Sequence, residues 1–163
     1  MSRARISLAS PDDIRGWSSG EVTSRETHVR RVGGFHPEGL FSETIFGSEP
    51  EERRRRFGHI ELATPVVHLW FFDAIANLLN VSARTIELVV YYQEYLVTTV
   101  KDDKVPLHVG QRLKEDRFRE LLLEHRDEFE VGLGADPIRA LLQQVEMPHA
   151  RYMFLDFIPV VPP

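Results

Sequence analysis

A chain that runs from residue 23 to residue 50 without a sustained hydrophobic period has to be held in place by something other than its own secondary structure. Gly33-Gly34, Pro37, Gly39, Gly47 and Pro50 punctuate that stretch as loop. Loops of this length inside a compact domain normally carry a function or meet a partner. Its apolar points, Leu40-Phe41 and Ile45-Phe46, read as anchors that fasten the loop to a core. The rest of the chain must therefore supply that core. With 163 residues and 42% hydrophobic content it has enough apolar material for one domain.

On either side of the loop the elements are better marked. Arg5 to Ala9 is short and β-prone. Ser10-Pro11-Asp12-Asp13 then starts a short helix: Ser10 suits the N-cap, Pro11 the first helical position, and the aspartates the positive end of the helix dipole. That helix runs through Ile14 and Trp17 to Gly20. Pro65 opens an apolar segment ending near Leu79 that reads as buried helix. Ser82 caps another, with Ile86, Val89 and Val90 at helical spacing. Tyr91 to Val100 is β-branched and aromatic, and residues 101–104 read as a turn. Leu113 to Phe129 reads as an amphipathic helix with Phe118, Leu121, Leu122 and His125 on one stripe. Ala135 to Val145 is a further helix with Pro137 in its first turn, and Tyr152 to Val161 a closing strand. The fold class expected is α+β, helix-rich, with short strands and long irregular loops.

Composition removes several functions. There is no cysteine, so disulfides, a cysteine nucleophile and cysteine-ligated zinc are excluded. The start lacks the apolar core of a signal peptide, and the most apolar stretch is too short to span a bilayer, which points to a cytoplasmic chain with no membrane partner. Twenty basic residues against 25 acidic give a net charge of −5. Free-standing DNA-binding domains are usually basic, so any nucleic-acid contact here must come from a local patch.

Two places offer such a patch. Arg53 to Arg56 are consecutive guanidinium groups, and Arg30-Arg31 sits in the irregular loop. The ordinary reading is a solvated face partly neutralised by Glu49, Glu51 and Glu52. The functional reading is a phosphate contact that positions a nucleic acid without reading its sequence. Other constellations are weaker. His59 and Glu61 alternate on an expected strand with His68 near them in sequence, but this set has too few ligands for a metal or acid–base centre and reads as hydrogen-bonded polar residues at a core edge. Asp12-Asp13 and Asp102-Asp103 are explained by a helix start and a turn. Gly33-Gly34 is not followed by the Lys-Ser/Thr of a phosphate-binding loop, and no serine nucleophile elbow is present. The residues alone show no catalytic centre.

The residues do resemble a known family. Ile6 to Pro11, Ile14-Arg15, Trp17-Ser18, Gly20-Glu21-Val22 and Glu26-Thr27 are similar to the opening of bacterial β′ subunits of DNA-directed RNA polymerase. Gly39-Leu40-Phe41, Ile45-Phe46-Gly47 and above all Gly58-His59-Ile60-Glu61-Leu62-Ala63-Thr64-Pro65 continue the pattern. His68, Trp70 and Phe71 follow it. Glu87, Tyr91, Tyr95, Asp127-Glu128-Phe129, Gly134-Ala135, Ile138-Arg139, Leu141-Leu142 and Pro159 to Pro163 extend it in the same order to the end.

The resemblance implies the N-terminal clamp region, a clamp core over residues 1–163. It comprises a strand and short helix (1–22), a basic loop region (23–57) and a helical core with closing strand (58–163). It implies a part of a polymerase that helps hold DNA, with other polymerase subunits and the DNA backbone as partners. Arg31 matches a family arginine in the element that approaches the promoter spacer, while Val29 and Arg30 replace a usual Asn-Tyr. Arg53, Arg54 and Arg56 match basic positions before the Gly-His-Ile-Glu segment. The family's catalytic Mg²⁺ needs an aspartate motif far downstream, absent here, so Mg²⁺ is expected only in the assembled polymerase and the chain is not an enzyme in isolation.

Two departures stand out. The family's four-cysteine zinc ribbon is replaced by Ser48 to Glu52, and the helical hairpin that is the main σ-factor docking site is replaced by a direct crossing from Glu146 to Arg151. On this reading Leu40, Phe41, Ile45 and Phe46 are exposed until the rest of the enzyme covers them. A different class remains beside it: a stand-alone clamp-like regulator that binds RNA polymerase or a transcription factor.

Overall fold

The computed structural model describes residues 8–29, 33–54, 56–145, 147 and 149–161. Arg30 and Arg31 lie outside the described residues, as do Arg55 and most of the expected strand from Arg5 to Ala9. The fold is α+β, as expected, and divides into two compact units: Met1–Ala63 with Leu155–Pro163, and Thr64–Phe154.

In the first unit α1 (Pro11–Trp17) begins as its sequence dictates. The Ser10 hydroxyl accepts from the Asp13 amide, and the Asp13 carboxylate accepts from the Ser10 amide. That reciprocal capping box satisfies two donors otherwise left open at a helix start. Two single-turn helices follow, α2 (Glu43–Phe46), capped by Ser42, and α3 (Pro50–Arg53). Strand β1 (Gly58–Val67) pairs with β5 (Phe154–Val160) in a two-stranded sheet, and Glu21 adds a parallel bridge to His59.

The core of this unit is Val22, Ile45 and Phe46, with Ile60 and Val160 packed against them. Ile45 and Phe46 thus anchor the irregular loop inside the chain itself. They are not surfaces waiting for another subunit, although Leu40 does remain exposed. Burying a side chain such as Phe46 stabilises by about 1.5–3 kcal/mol, enough for a loop with little regular structure to be held by a few points.

The second unit contains α4 (Phe72–Leu78), α5 (Ala83–Val90), β2 (Tyr95–Val100), β3 (Arg112–Leu113), α6 (Glu115–Glu124), β4 (Phe129–Gly132) and α7 (Asp136–Gln144). Asn80 ends α4 in the left-handed region (φ 53°), with the Val81 amide donating back to the Ala76 carbonyl. Tyr92 ends α5 in the same way at φ 59°, where Gln93 donates to Leu88. This reverse turn commonly uses Gly or Asn, so a tyrosine there is unusual. Its ring lies against Gly134, where a Cβ would approach the Tyr92 hydroxyl to 2.6 Å.

Strands β3, β2 and β4 form an antiparallel sheet in that order, with Tyr95 opposite Leu113, Val97 opposite Val131 and an irregularity between Val97 and Thr99. One apolar cluster gathers Ile75, Ile86, Val89, Leu96, Ile138 and Leu142; another gathers Val97, Val105, Leu113, Leu121 and Phe129.

Two expectations are corrected here. The segment from Pro65 is a helix only in its second half: β1 continues through Pro65 to Val67, a tight turn spans Leu69–Phe71 with Leu69 and Trp70 exposed, and α4 then buries Ile75 and Ala76. Proline is tolerated in so narrow a sheet because its missing N–H need not break a ladder bond. The expected helix from Leu113 to Phe129 is shorter. Leu113 and Phe129 are taken into strands on either side of α6, and within the stripe Leu121 is buried while Leu122 is exposed. No helix among the described residues is long and apolar enough to cross a membrane.

Candidate nucleic-acid interface

The first unit brings α1, the end of α3 and the end of β5 around one open groove of about 930 Å³. Its walls are apolar: Ile14 and Trp17 from α1, Pro50 and Phe57 flanking the basic run, and Pro159 and Val161 from the end of the chain. Arg53, Arg54 and Arg56 also line it, and among the described residues no acidic side chain does.

Each described arginine is held differently. Arg53 donates from Nε to the Gly47 carbonyl at 3.1 Å, which fastens α3 to the end of α2. Arg56 sits 3.7 Å from Glu52, both half-exposed, so that ion pair is weak and screened. Arg54 is exposed and makes no ion pair among the described residues. Among the described residues the three guanidiniums therefore keep N–H donors that none of these contacts uses, although Glu52 neutralises part of the run. Of the six arginines in the two runs, the structure gathers Arg53, Arg54 and Arg56 in one place, while Arg30, Arg31 and Arg55 lie outside the described residues. The loop that carries Arg30 and Arg31 is pinned at its base, where His28 bridges Phe35 and the Phe35 ring stacks on Phe41 at 5.4 Å.

The short connection Ser48 to Glu52 is closed by its own contacts. Gly47 adopts φ 88°, and the Glu52 side chain packs onto its α-carbon, where a Cβ would meet Glu52 Cβ at 2.6 Å. Between Val145 and Ala150, Glu146 and Pro148 lie outside the described residues; the Ala150 amide donates to the Met147 carbonyl and a tight turn spans Ala150–Met153.

The histidine constellation is taken apart by the structure. His59 is buried, with Nδ1 2.8 Å from the Ser18 hydroxyl and its ring edge-on to Phe157. Glu61 is exposed and pairs with Arg15 at 3.3 Å. His68 accepts from the Trp70 amide and starts the turn after β1. Among the described residues no group of three His, Cys, Asp or Glu is placed to hold a metal. The groove walls were not visible as a site in the sequence, because Trp17, Phe57 and Val161 come from three distant segments and share no period.

A family model described as RNA polymerase Rpb1, domain 1, matches residues 1–147. The β′ subunit of DNA-directed RNA polymerase from Thermodesulfovibrio yellowstonii is 35% identical over 176 positions, which cover 88% of this chain and 13% of that subunit. The β′ subunit from Methylococcus capsulatus is 38% identical over 186 positions, 93% of this chain and 13% of the relative. That from Syntrophomonas wolfei is 36% identical over 178 positions, 89% and 15%. These alignments are longer than the chain's 163 residues, so the relatives carry additional residues between the matched segments. The chain spans 13–15% of the length of these relatives. It belongs to the RNA polymerase Rpb1, domain 1, family.

Proposed function

We propose that residues 1–163 act as one β′-like clamp-core region of a DNA-directed RNA polymerase. In this reading the chain helps hold DNA during transcription and has no catalytic centre of its own. Its partners are the other polymerase subunits and the DNA backbone, its compartment is the cytoplasm, and the catalytic Mg²⁺ belongs to the assembled enzyme. The observation that carries the reading is the local reversal of charge: a chain of net charge −5 gathers Arg53, Arg54 and Arg56 around one groove with no acid lining it among the described residues. The family match supplies the context.

Arginines in this setting fix the position of a duplex through its phosphates and carry no sequence information. Arg31 joins them on the family resemblance, and Arg30 as its basic neighbour in the same loop. Replacing Arg31, Arg53 and Arg54 by Ala in the assembled enzyme weakens DNA binding equally across sequences. It also flattens the dependence of log K on log salt by about 0.9 for each phosphate that is no longer neutralised. An unchanged salt slope contradicts the assignment.

A further inference from the structure

The groove that carries the arginines has a floor that phosphate contacts leave unused. A double helix meets proteins through phosphates and groove edges, and neither fills an apolar trough. Ile14, Pro50, Pro159 and Val161 make its walls mostly aliphatic, with aromatic rings only at Trp17 and Phe57. Single-stranded bases call for successive aromatic faces to stack on, which these walls do not provide. Aliphatic and proline walls instead suit the side chains of a peptide. Trp17 is 62% exposed, so apolar surface lies open inside the groove. A concave apolar site crossed by a few charged groups is the usual form of a specific binding cleft.

The charges select the occupant. Arg54 is unpaired among the described residues, Arg53 spends only Nε on the Gly47 carbonyl, and Arg56 is held loosely by Glu52. We infer that this groove docks an acidic peptide segment of another polypeptide. Its Leu, Ile or Phe side chains enter between Trp17 and Pro159 while its Asp or Glu carboxylates meet Arg53 and Arg54. Carboxylates accept from guanidinium in two parallel bonds, so the arginines fix the peptide's register and the apolar walls supply most of the affinity.

The test uses the whole chain carrying Trp70→Phe, which leaves Trp17 as the sole tryptophan. A displayed library of random 12-residue peptides is selected on this chain and, in parallel, on the same chain with Arg53→Glu and Arg54→Glu. Circular dichroism verifies that both are folded. The expected result is enrichment of peptides combining Asp or Glu with Leu, Ile or Phe. Such a peptide, synthesised, shifts Trp17 emission, loses at least about tenfold in affinity to the arginine reversal, and also weakens when Ile14 is replaced by Ser. No enrichment, enrichment of basic peptides, or equal binding to both chains overturns the inference. So does a Trp17 response to a 12-nucleotide oligothymidine tighter than to the selected peptide. The Ile14→Ser variant keeps this separate from the proposed DNA contact, because it alters the groove wall and leaves the arginines and the DNA salt slope in place.

Discussion

The imidazole Nδ1 of His59 and the hydroxyl of Ser18 lie 2.8 Å apart, joining the first residues of β1 to the end of α1. His59 is thereby a buried, hydrogen-bonded residue whose ring also packs on Phe157, 5.4 Å between centroids. Its place beside Glu61 in sequence suggests chemistry, yet its partners are structural. Removing the hydroxyl with Ser18→Ala is expected to cost about 1 kcal/mol. His59→Ala, which also removes a buried ring, should cost roughly 2–4 kcal/mol. Urea unfolding followed by far-ultraviolet circular dichroism measures both, and a His59→Ala midpoint equal to the parent's would contradict this placement.

Gly58 is set by close approach and not by backbone angle. A Cβ there would lie 3.0 Å from the Gly20 carbonyl oxygen, 3.1 Å from Ile45 Cγ2 and 3.2 Å from Phe46 Cζ. Gly58→Ala therefore pushes β1 away from the Ile45–Phe46 anchor, and a destabilisation of about 1–3 kcal/mol is expected. The accompanying sign is faster amide exchange at Val22, which donates to the His59 carbonyl; unchanged exchange there would mean that the strand does not need this close fit.

Much of this was legible in the sequence, and the rest shows where sequence patterns stop. The Ser10 and Ser82 caps and the Pro137 helix start are local signals, and all three helices form where those residues place them. Strand β5 also lies within its expected span. The errors came from pairing at a distance. Phe129 extends the apolar stripe of a helix by spacing alone, but it is claimed by Val100 across the β2–β4 ladder. Val66 and Val67 look like the start of a buried helix only if Pro65 is taken as its first residue, whereas they continue β1. The basic run was readable as a candidate because its charge is contiguous. The apolar groove beside it was not, since only folding brings Trp17 and Val161 to the same opening.

A pH effect is expected in the second unit. The Tyr95 hydroxyl donates to Glu115 at 2.7 Å, and Arg119 donates to the other carboxylate oxygen at 2.7 Å. The hydrogen bond from Tyr95, then that from Arg119, hold the Glu115 carboxyl below its ordinary pKa, while the bond to Glu115 pushes the Tyr95 phenol up. A carboxylate with a depressed folded pKa adds stability that is present above its unfolded pKa and is lost as pH falls through the folded value. A phenol with a raised one adds stability that is lost as pH rises through its folded value. Tyr95→Phe should therefore return the Glu115 titration, followed by carboxyl NMR shifts, toward higher pH and reduce the acid-side dependence of stability. An unmoved Glu115 titration would show that the tyrosine does not set it.

The most direct test of the central claim is the composition of the native polymerase. Purification of DNA-directed RNA polymerase from the native cells, followed by quantitative mass spectrometry, reads how many copies of this sequence each enzyme holds. A β′-type clamp core predicts one copy per enzyme and no other β′ N-terminal sequence beside it. A complete polymerase with a different β′ N-terminal sequence, and this chain present at well below one copy, would contradict the account and favour a stand-alone regulator.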